Sequence, residues 1–389
     1  MADQIDRQLQ TIDEMVLTPL VQRCLDREKL KVLHWQVQPL TGGVEIESSL
    51  HRFTGQAKSG GETLPWSLVL KIIQSPAGSP GDPLAFRYWK REALAYQSGV
   101  LNDLPGGITA PECFSTEEKP DGAYWIWMED VKDEIGDLWP LEQYGVVARY
   151  LGRFNGAYLM GRPLPDGPWV TRHWLRAYLD NAAPEVDHMI NSMDHPLMRR
   201  SLPGITKEFI QQVWNERLEI LDLLEHFPQT FCHQDAFRLN LFFRHTPDKQ
   251  PQVVAVDWSY TGLAPVGAEL AAFVAASVYL GGVSPGDALR LEQLALDGYM
   301  DGLKEAGWQG DPDMVSFCYA ATVFWRYFLA AFPGEMVPFF LDEQLHPMFE
   351  KSFGMTVGQA ADVYAASGGF MKYKYDQASK LKAILKSKA

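Results

Sequence analysis

The 389-residue sequence is short of the features that mark several functional classes. Its four cysteines, Cys24, Cys113, Cys232 and Cys318, are scattered without paired spacing. That excludes a cysteine zinc site and a disulfide framework, and it predicts reduced, buried thiols in a cytoplasmic protein. Positive charge is in deficit, since 35 Lys and Arg against 49 Asp and Glu leave a net charge of −14. With no basic stripe to offset phosphate repulsion, nucleic acid is not an expected partner. No apolar run is both long and clean enough to span a membrane. The longest, Val266 to Val283, contains Glu269 and three glycines and reads as a core helix. The start, Met1-Ala-Asp-Gln-Ile-Asp, is acidic and polar where a secretory signal would be basic and then apolar. There is no internal repeat and no low-complexity tract.

What is present is an ordinary globular composition, 46% hydrophobic with twelve tryptophans. The length suffices for two domains or one bilobal unit with an ample core. Leu9, Ile12, Val16 and Leu20 recur at helical spacing and predict an amphipathic leading helix over residues 1–30. Strand patterns and one helix fill 31–128, and helices dominate from 129 onward. The lysine-rich tail from Lys372 to Ala389 has a helical pattern and is expected to be a solvated terminal helix.

The most informative segment is His233-Gln-Asp235-Ala-Phe-Arg-Leu-Asn240, followed after an apolar strand by Asp257. It sets two carboxylates and one amide at the ends of short apolar runs. Phosphoryl transfer needs that inventory: one carboxylate to orient or deprotonate a hydroxyl, and oxygen ligands for the metal that bridges the phosphates. The runs Leu241-Phe-Phe243 and Val253-Val-Ala-Val256 flank a turn-forming stretch, His245 to Pro251. A hairpin there brings Asn240 and Asp257 together at its open end.

A lysine for the α- and β-phosphates is expected on a buried strand, with a helical glutamate beside it. Lys71 lies inside Ser67-Leu-Val-Leu-Lys71-Ile-Ile73, and a buried ammonium needs a partner. Glu92, in the helical pattern from Phe86 to Tyr96, is the candidate. Upstream, Gly42 and Gly43 open a hairpin whose backbone amides, with the Ser48 and Ser49 hydroxyls, are candidate phosphate donors. This turn is not a Gly-x-x-x-x-Gly-Lys-Ser/Thr loop. The strand Ala123 to Asp130 ends abruptly in acid and reads as an interlobe hinge, with the backbone of Trp127, Met128 and Glu129 as the candidate adenine reader.

In this order and spacing, Lys71, Glu92, the Trp-Met-Glu-Asp hinge, His233-x-Asp235-x-x-x-x-Asn240 and Asp257-Trp258 resemble the aminoglycoside phosphotransferase and choline kinase-like superfamily over about residues 30 to 330. The resemblance implies an α+β, bilobal protein-kinase-like fold. Residues 1–128 would form a small antiparallel-sheet lobe that binds nucleotide. Residues 129–389 would form a larger, mostly helical lobe for catalysis and substrate. It implies ATP, Mg2+ and a hydroxylated small-molecule acceptor such as an aminoglycoside, choline or a sugar. Asp235 matches the family base, Asn240 and Asp257 the metal ligands, Lys71 the phosphate lysine and Glu92 its pair. His233 matches a histidine that braces backbone.

The sequence also departs from the family pattern. Gln234 stands where relatives often have Gly. Arg238 is the cation nearest the base, one place later than usual, and is the candidate for reaching the transferring phosphoryl group. Glu269 stands in for a family Asp, and Asn155 for a family His. The acceptor would be lined by helices from about 170 to 225 and 285 to 345, with Trp174, Tyr178, Asp180, Glu185, Asp187, Trp325 and Tyr327 as candidates.

Two rival readings use part of the same inventory. A nucleotide-binding regulator would keep the fold without turnover. A metal-dependent hydrolase would use His233, Asp235 and Asp257 as ligands. Phosphorylation of a protein lacks its Asp-Phe-Gly and Ala-Pro-Glu landmarks.

Overall fold

The structure is a computed structural model that describes residues 9–40, 48–75, 81–136, 138–280 and 282–388. Its first element is helix α1 (Glu14–Leu25), started by Asp13, whose carboxylate accepts the Met15 and Val16 N–H groups at 2.9 and 3.1 Å. The apolar face of α1 is Leu17, Leu20 and Val21, whereas Val16 is exposed. The expected stripe holds in part: Leu9 and Ile12 precede the α1 cap, yet Ile12 is buried in the same core as Leu20 and Leu9 packs against it. Residues 1–8 of the expected helix lie outside the described residues.

Strands β1 (Lys31–Leu40), β2 (Ser48–Ser59) and β3 (Glu62–Ile73) follow, then helix α2 (Arg91–Gln97). The β2–β3 turn is Gly60-Gly61, with φ of 57° and 93°. A two-residue hairpin turn needs that left-handed backbone, and glycine adopts it without strain. After β4 (Ile108–Thr109) come β5 (Cys113–Glu118) and β6 (Tyr124–Glu129). These give an antiparallel five-stranded sheet in the order β1-β2-β3-β6-β5.

Strand alternation divides this sheet into two faces. Leu68, Leu70 and Ile72 of β3, with Trp125 and Trp127 of β6, pack outward with α1 in one core. Val69 and Ile73, with Tyr124, Ile126 and Met128, pack inward in the main core. Lys71 is on that inward face because it falls between Val69 and Ile73.

Past Glu129 the chain is mostly helical. Helices α3 (Leu141–Leu159), α4 (Trp174–Asn191) and α5 (Lys207–His226) lead to β7 (Gln229–Cys232). Then come β8 (Leu241–His245), β9 (Pro251–Ala255) and β10 (Gly262–Pro265). The chain ends in α6 (Glu269–Tyr279), α7 (Ala288–Glu305), α8 (Pro312–Leu341) and α9 (Val357–Lys388). The run expected as a core helix is α6, whose residues are nearly all buried. Among the described residues, α8 is the one helix long and apolar enough to cross a membrane, and 83% of that window is buried inside the protein.

The expectation of a solvated tail is overturned. Phe370, Met371, Ala378 and Leu381 of α9 are buried, and Lys374 is fully buried in an ion pair with Glu292. The tail's lysines drew attention to charge, whereas the apolar residues between them decide the packing.

Candidate active site

Strand β7 is buried along most of its length and delivers His233 to the interior. The loop that follows is held from below by α6: the N–H groups of His233 and Gln234 donate to Glu269 Oε2 and Oε1 at 2.7 and 2.9 Å. Burial pushes the Glu269 carboxyl up to about 7, against the pull of those two N–H bonds. Gln234 has φ of 65°. This left-handed turn swings Asp235 out of the strand direction, in a backbone conformation that glycine adopts more readily than glutamine.

His233 is neutral and braced. Its Nε2 is 2.8 Å from the Val256 carbonyl, and its Nδ1 accepts the Asp235 N–H at 3.2 Å, so Nε2 carries the proton. Burial pushes its pKa down to about 4.

Both oxygens of Asp235 are engaged. Oδ1 accepts from Arg326 at 2.9 Å, and Oδ2 accepts from Asn240 Nδ2 at 3.1 Å. Asn240 Nδ2 also donates to the Asp235 carbonyl at 3.0 Å, which turns the amide oxygen away from Asp235. Burial raises the Asp235 pKa to about 6; Arg326 opposes this and Asp257 adds to it.

Asp257 lies two residues beyond β9 in a left-handed conformation, φ 63° and ψ 70°. The β8–β9 hairpin pairs Leu241 with Ala255, so its open end brings Asn240 and Asp257 to one side, as the sequence implied. Lys71 Nζ is 2.8 Å from Asp257 Oδ1 and 2.6 Å from Glu92 Oε2. Burial alone would raise the Asp257 pKa, but the Lys71 ammonium outweighs it and holds the carboxylate below its ordinary range. Glu92 Oε1 accepts the Trp258 N–H at 3.3 Å, which ties α2 to the Asp257 loop. Lys71, Glu92 and Asp257 thus form one bonded group and Asp235 with Asn240 another; the Val256 N–H on the Asn240 carbonyl at 2.9 Å, and the charge of Asp257 felt at Asp235, set the two side by side.

Other expectations are corrected. Arg238 does not face the cluster: it is buried against Trp139, 4.5 Å from the ring centroid, 3.1 Å from Asp133 Oδ2, and it donates to the Leu241 and Gly136 carbonyls. The cation on Asp235 is Arg326, which also donates to the Gln234 carbonyl and lies 4.6 Å from the Trp174 ring. Arg326 sits in the π-helical part of α8, Phe324–Met336, which contains Pro333. π-Helical turns are uncommon and frequent at functional sites. A lone arginine in the apolar run Phe-Trp-Arg-Tyr-Phe was the available signal, because a buried charge requires a partner.

Ser48 lines the recess beside Lys71, Ile73, Tyr88 and Glu92. Ser49 is opposite Ile72 and so projects from the other face of the sheet. Gly42 and Gly43 lie outside the described residues; the strands flanking them pair, with Leu40 opposite Leu50. The Trp127 ring is buried in the outer core, edge-on to Phe53. Strand β6 runs between β3 and β5, and the Glu129 N–H donates to the Glu112 carbonyl, so this backbone is committed to the sheet. Met128 does face the inner side with Val69. The Glu129 carboxylate is paired with Arg244. Asn155 is a scaffold residue, donating to the Phe231 carbonyl at 3.0 Å and accepting from Tyr299 at 2.7 Å.

Of the acceptor candidates, Trp325 is buried with its indole N–H on the Val213 carbonyl, and Trp174 donates to the Phe86 carbonyl. Asp180 and Asp187 are exposed and Glu185 is partly exposed, on α4. Tyr178 donates to Glu335 Oε1 at 2.8 Å, and Tyr327 stands next to Arg326. Glu335 had not been singled out from the sequence.

A small antiparallel sheet, a helical lobe and a lysine–carboxylate–amide cluster between them define the protein-kinase-like class of phosphotransferases. Within it, the model of the phosphotransferase enzyme family matches residues 68–308, and the chain belongs to that family. Among solved structures, an ethanolamine kinase from Plasmodium vivax is similar at 10% identity and a TM-score of 0.50, covering 87% of this chain and 83% of that one. An amicoumacin kinase bound to AMP-PNP and Ca2+ is 12% identical with a TM-score of 0.48, covering 93% and 96%. A choline kinase from Cryptosporidium parvum Iowa II is 13% identical with a TM-score of 0.48, covering 90% of each. At such identities the likeness is one of fold. No curated protein matches the chain.

Proposed function

We propose that this protein moves the γ-phosphoryl group of ATP, with magnesium, to a hydroxyl of a small molecule. The observation that carries the reading is the pair of adjoining groups in which Lys71 lies 2.8 Å from Asp257, while Asn240 bonds Asp235. The residues fit magnesium. Asp257 and the outward amide oxygen of Asn240 are hard oxygen donors, and the described residues hold no group of three His, Cys, Asp or Glu that would cage a metal unaided. Magnesium is commonly held in this way, by one or two protein oxygens together with substrate phosphates. When bound, it would neutralise charge on the phosphates.

The chain's own residues supply position and proton acceptance. Lys71, fixed by Glu92, offers an ammonium to the phosphates from the inner face of the sheet. Asp235, held by Arg326 and Asn240, presents a carboxylate to the acceptor hydroxyl and takes its proton as the new P–O bond forms. His233 and Glu269 hold the loop and move no proton.

The hydrolase alternative loses its third ligand, because both His233 ring nitrogens are already hydrogen-bonded.

The test is ATP consumption by the purified protein across a panel of hydroxylated acceptors, with a no-acceptor control. Asp235→Ala is expected to lower turnover by a factor on the order of 10² or more. Asp257→Ala is expected to remove magnesium-dependent ATP binding while the thermal unfolding transition persists. Turnover near the wild-type level in either variant contradicts the role given to that residue.

A further inference from the structure

The catalytic cluster leaves the acceptor's chemistry open, and the surface beside Arg326 bears on it. The next residue of α8, Tyr327, has its ring 5.0 Å from the Arg326 guanidinium, which in turn is 2.9 Å from Asp235. Tyr327 also lines a recess that is partly open to solvent. Its walls are apolar: Phe209 from α5, Tyr279 from α6, Phe332 from α8 and Tyr364 from α9, with the aliphatic Leu202, Ile205 and Met371 among them. Tyr279 stacks on Tyr327 at 6.0 Å and on Tyr364 at 5.0 Å between ring centroids. Burial pushes all three phenols above their ordinary range, so they stay neutral.

The charges around this recess are already matched. Lys372, at the rim, is 2.6 Å from Asp376. Arg326 is paired with Asp235, and its guanidinium lies over the Tyr327 ring that an incoming cation would seek. Glu335, whose charge is felt at Tyr364 and, after that of Asp235, at Tyr327, accepts from Tyr178 and lies 3.6 Å from Arg87.

The last wall is Gly368, inside α9. A Cβ added there would meet no heavy atom within 4 Å. Glycine inside a helix costs about 1 kcal/mol relative to alanine. Packing therefore does not call for glycine at this place, and a larger side chain would fill the recess.

Building on the phosphotransferase reading, we infer that this recess receives the apolar body of the acceptor, an uncharged alcohol bearing an aryl or alicyclic ring, whose hydroxyl reaches Asp235. Contact with Phe209, Phe332 and the edges of the stacked tyrosines supplies the affinity, and the matched charges around the recess give an ionic acceptor little return for the water it would lose.

The probes are 2-phenylethanol and cyclohexylmethanol, set against choline and a polycationic aminoglycoside, each titrated into the full-length protein with magnesium and a non-hydrolysable ATP analogue, and each assayed for ATP consumption. The ring alcohols are expected to bind saturably and more tightly than the cations. Gly368→Phe is expected to raise their KM at least tenfold while leaving nucleotide affinity unchanged and the melting temperature unchanged or higher. Should that variant lose its thermal transition, Tyr364→Leu replaces it, and KM must rise with little change in kcat. Tighter binding of a cationic acceptor, no saturable binding of either ring alcohol, or a KM indifferent to both variants overturns the inference, yet leaves the phosphotransferase reading standing. Wild-type protein that binds no nucleotide overturns the phosphotransferase reading itself.

Discussion

A carboxylate with both oxygens hydrogen-bonded is a constrained base, and Asp235 is one. Its pKa, raised to about 6 by burial, is expected to set the acid limb of the proposed reaction. Above that value the carboxylate is ionised and accepts a proton. Below it the group is protonated, so kcat/KM is expected to fall about tenfold per pH unit on the acid side. A profile flat from pH 8 to pH 5 would contradict the assignment. Arg326 opposes the upward shift, so Arg326→Met is expected to move the acid limb to higher pH in addition to lowering kcat. A variant with lower kcat and an unmoved limb would mean that Arg326 only supports the loop. The five cluster residues were legible because their types and local spacing carry the chemistry. Arg326 was not, since it lies 91 positions from Asp235 and only folding joins them. Arg238 was misassigned for the converse reason: three positions along the chain, a turn had already carried it to the other side of the loop.

Among the elements, sequence pattern identified strands better than the direction their side chains take. Lys71 and Ser48 line one recess, whereas Ser49, grouped with Ser48 from the sequence, projects from the opposite face, because one residue of strand parity exchanges the faces. Helix packing was less legible still. Helices α3 and α7 approach so closely that a Cβ on Gly302 would lie 2.1 Å from the Arg149 carbonyl, and one on Gly298 would lie 2.1 Å from the Gly145 carbonyl. Gly302→Ala is therefore expected to destabilise the protein by about 1–3 kcal/mol, the range for overpacking a tight contact. Gly368→Ala, with open space around it, is expected to stabilise by up to about 1 kcal/mol. Chemical denaturation of the two variants checks the contrast. Opposite signs from the same substitution, both inside helices, would separate a glycine required by a neighbouring backbone from one that leaves a cavity.

On the scale of the whole molecule, the sheet and the helical lobe are joined through charges that bury each other. Arg91, fully buried, donates to the carbonyls of Phe86, Trp169 and Ser259, and its neighbour Glu92 holds both Lys71 and the Trp258 N–H. The order of motifs along the chain revealed that two parts meet at a cleft, but not how much stability the meeting carries. Lys71→Met tests this. It leaves Glu92, 1% exposed, and Asp257 without their cation. Breaking a buried pair from one side costs about 3–5 kcal/mol, whereas replacing both partners by apolar groups is often neutral. The expected result is a large loss of stability in Lys71→Met and substantial recovery in the double variant Lys71→Met with Glu92→Leu. Nucleotide affinity is expected to be lost in both. If the double variant regained nucleotide binding along with stability, Lys71 would be a structural tie alone, and the phosphates would have to be held by some other group.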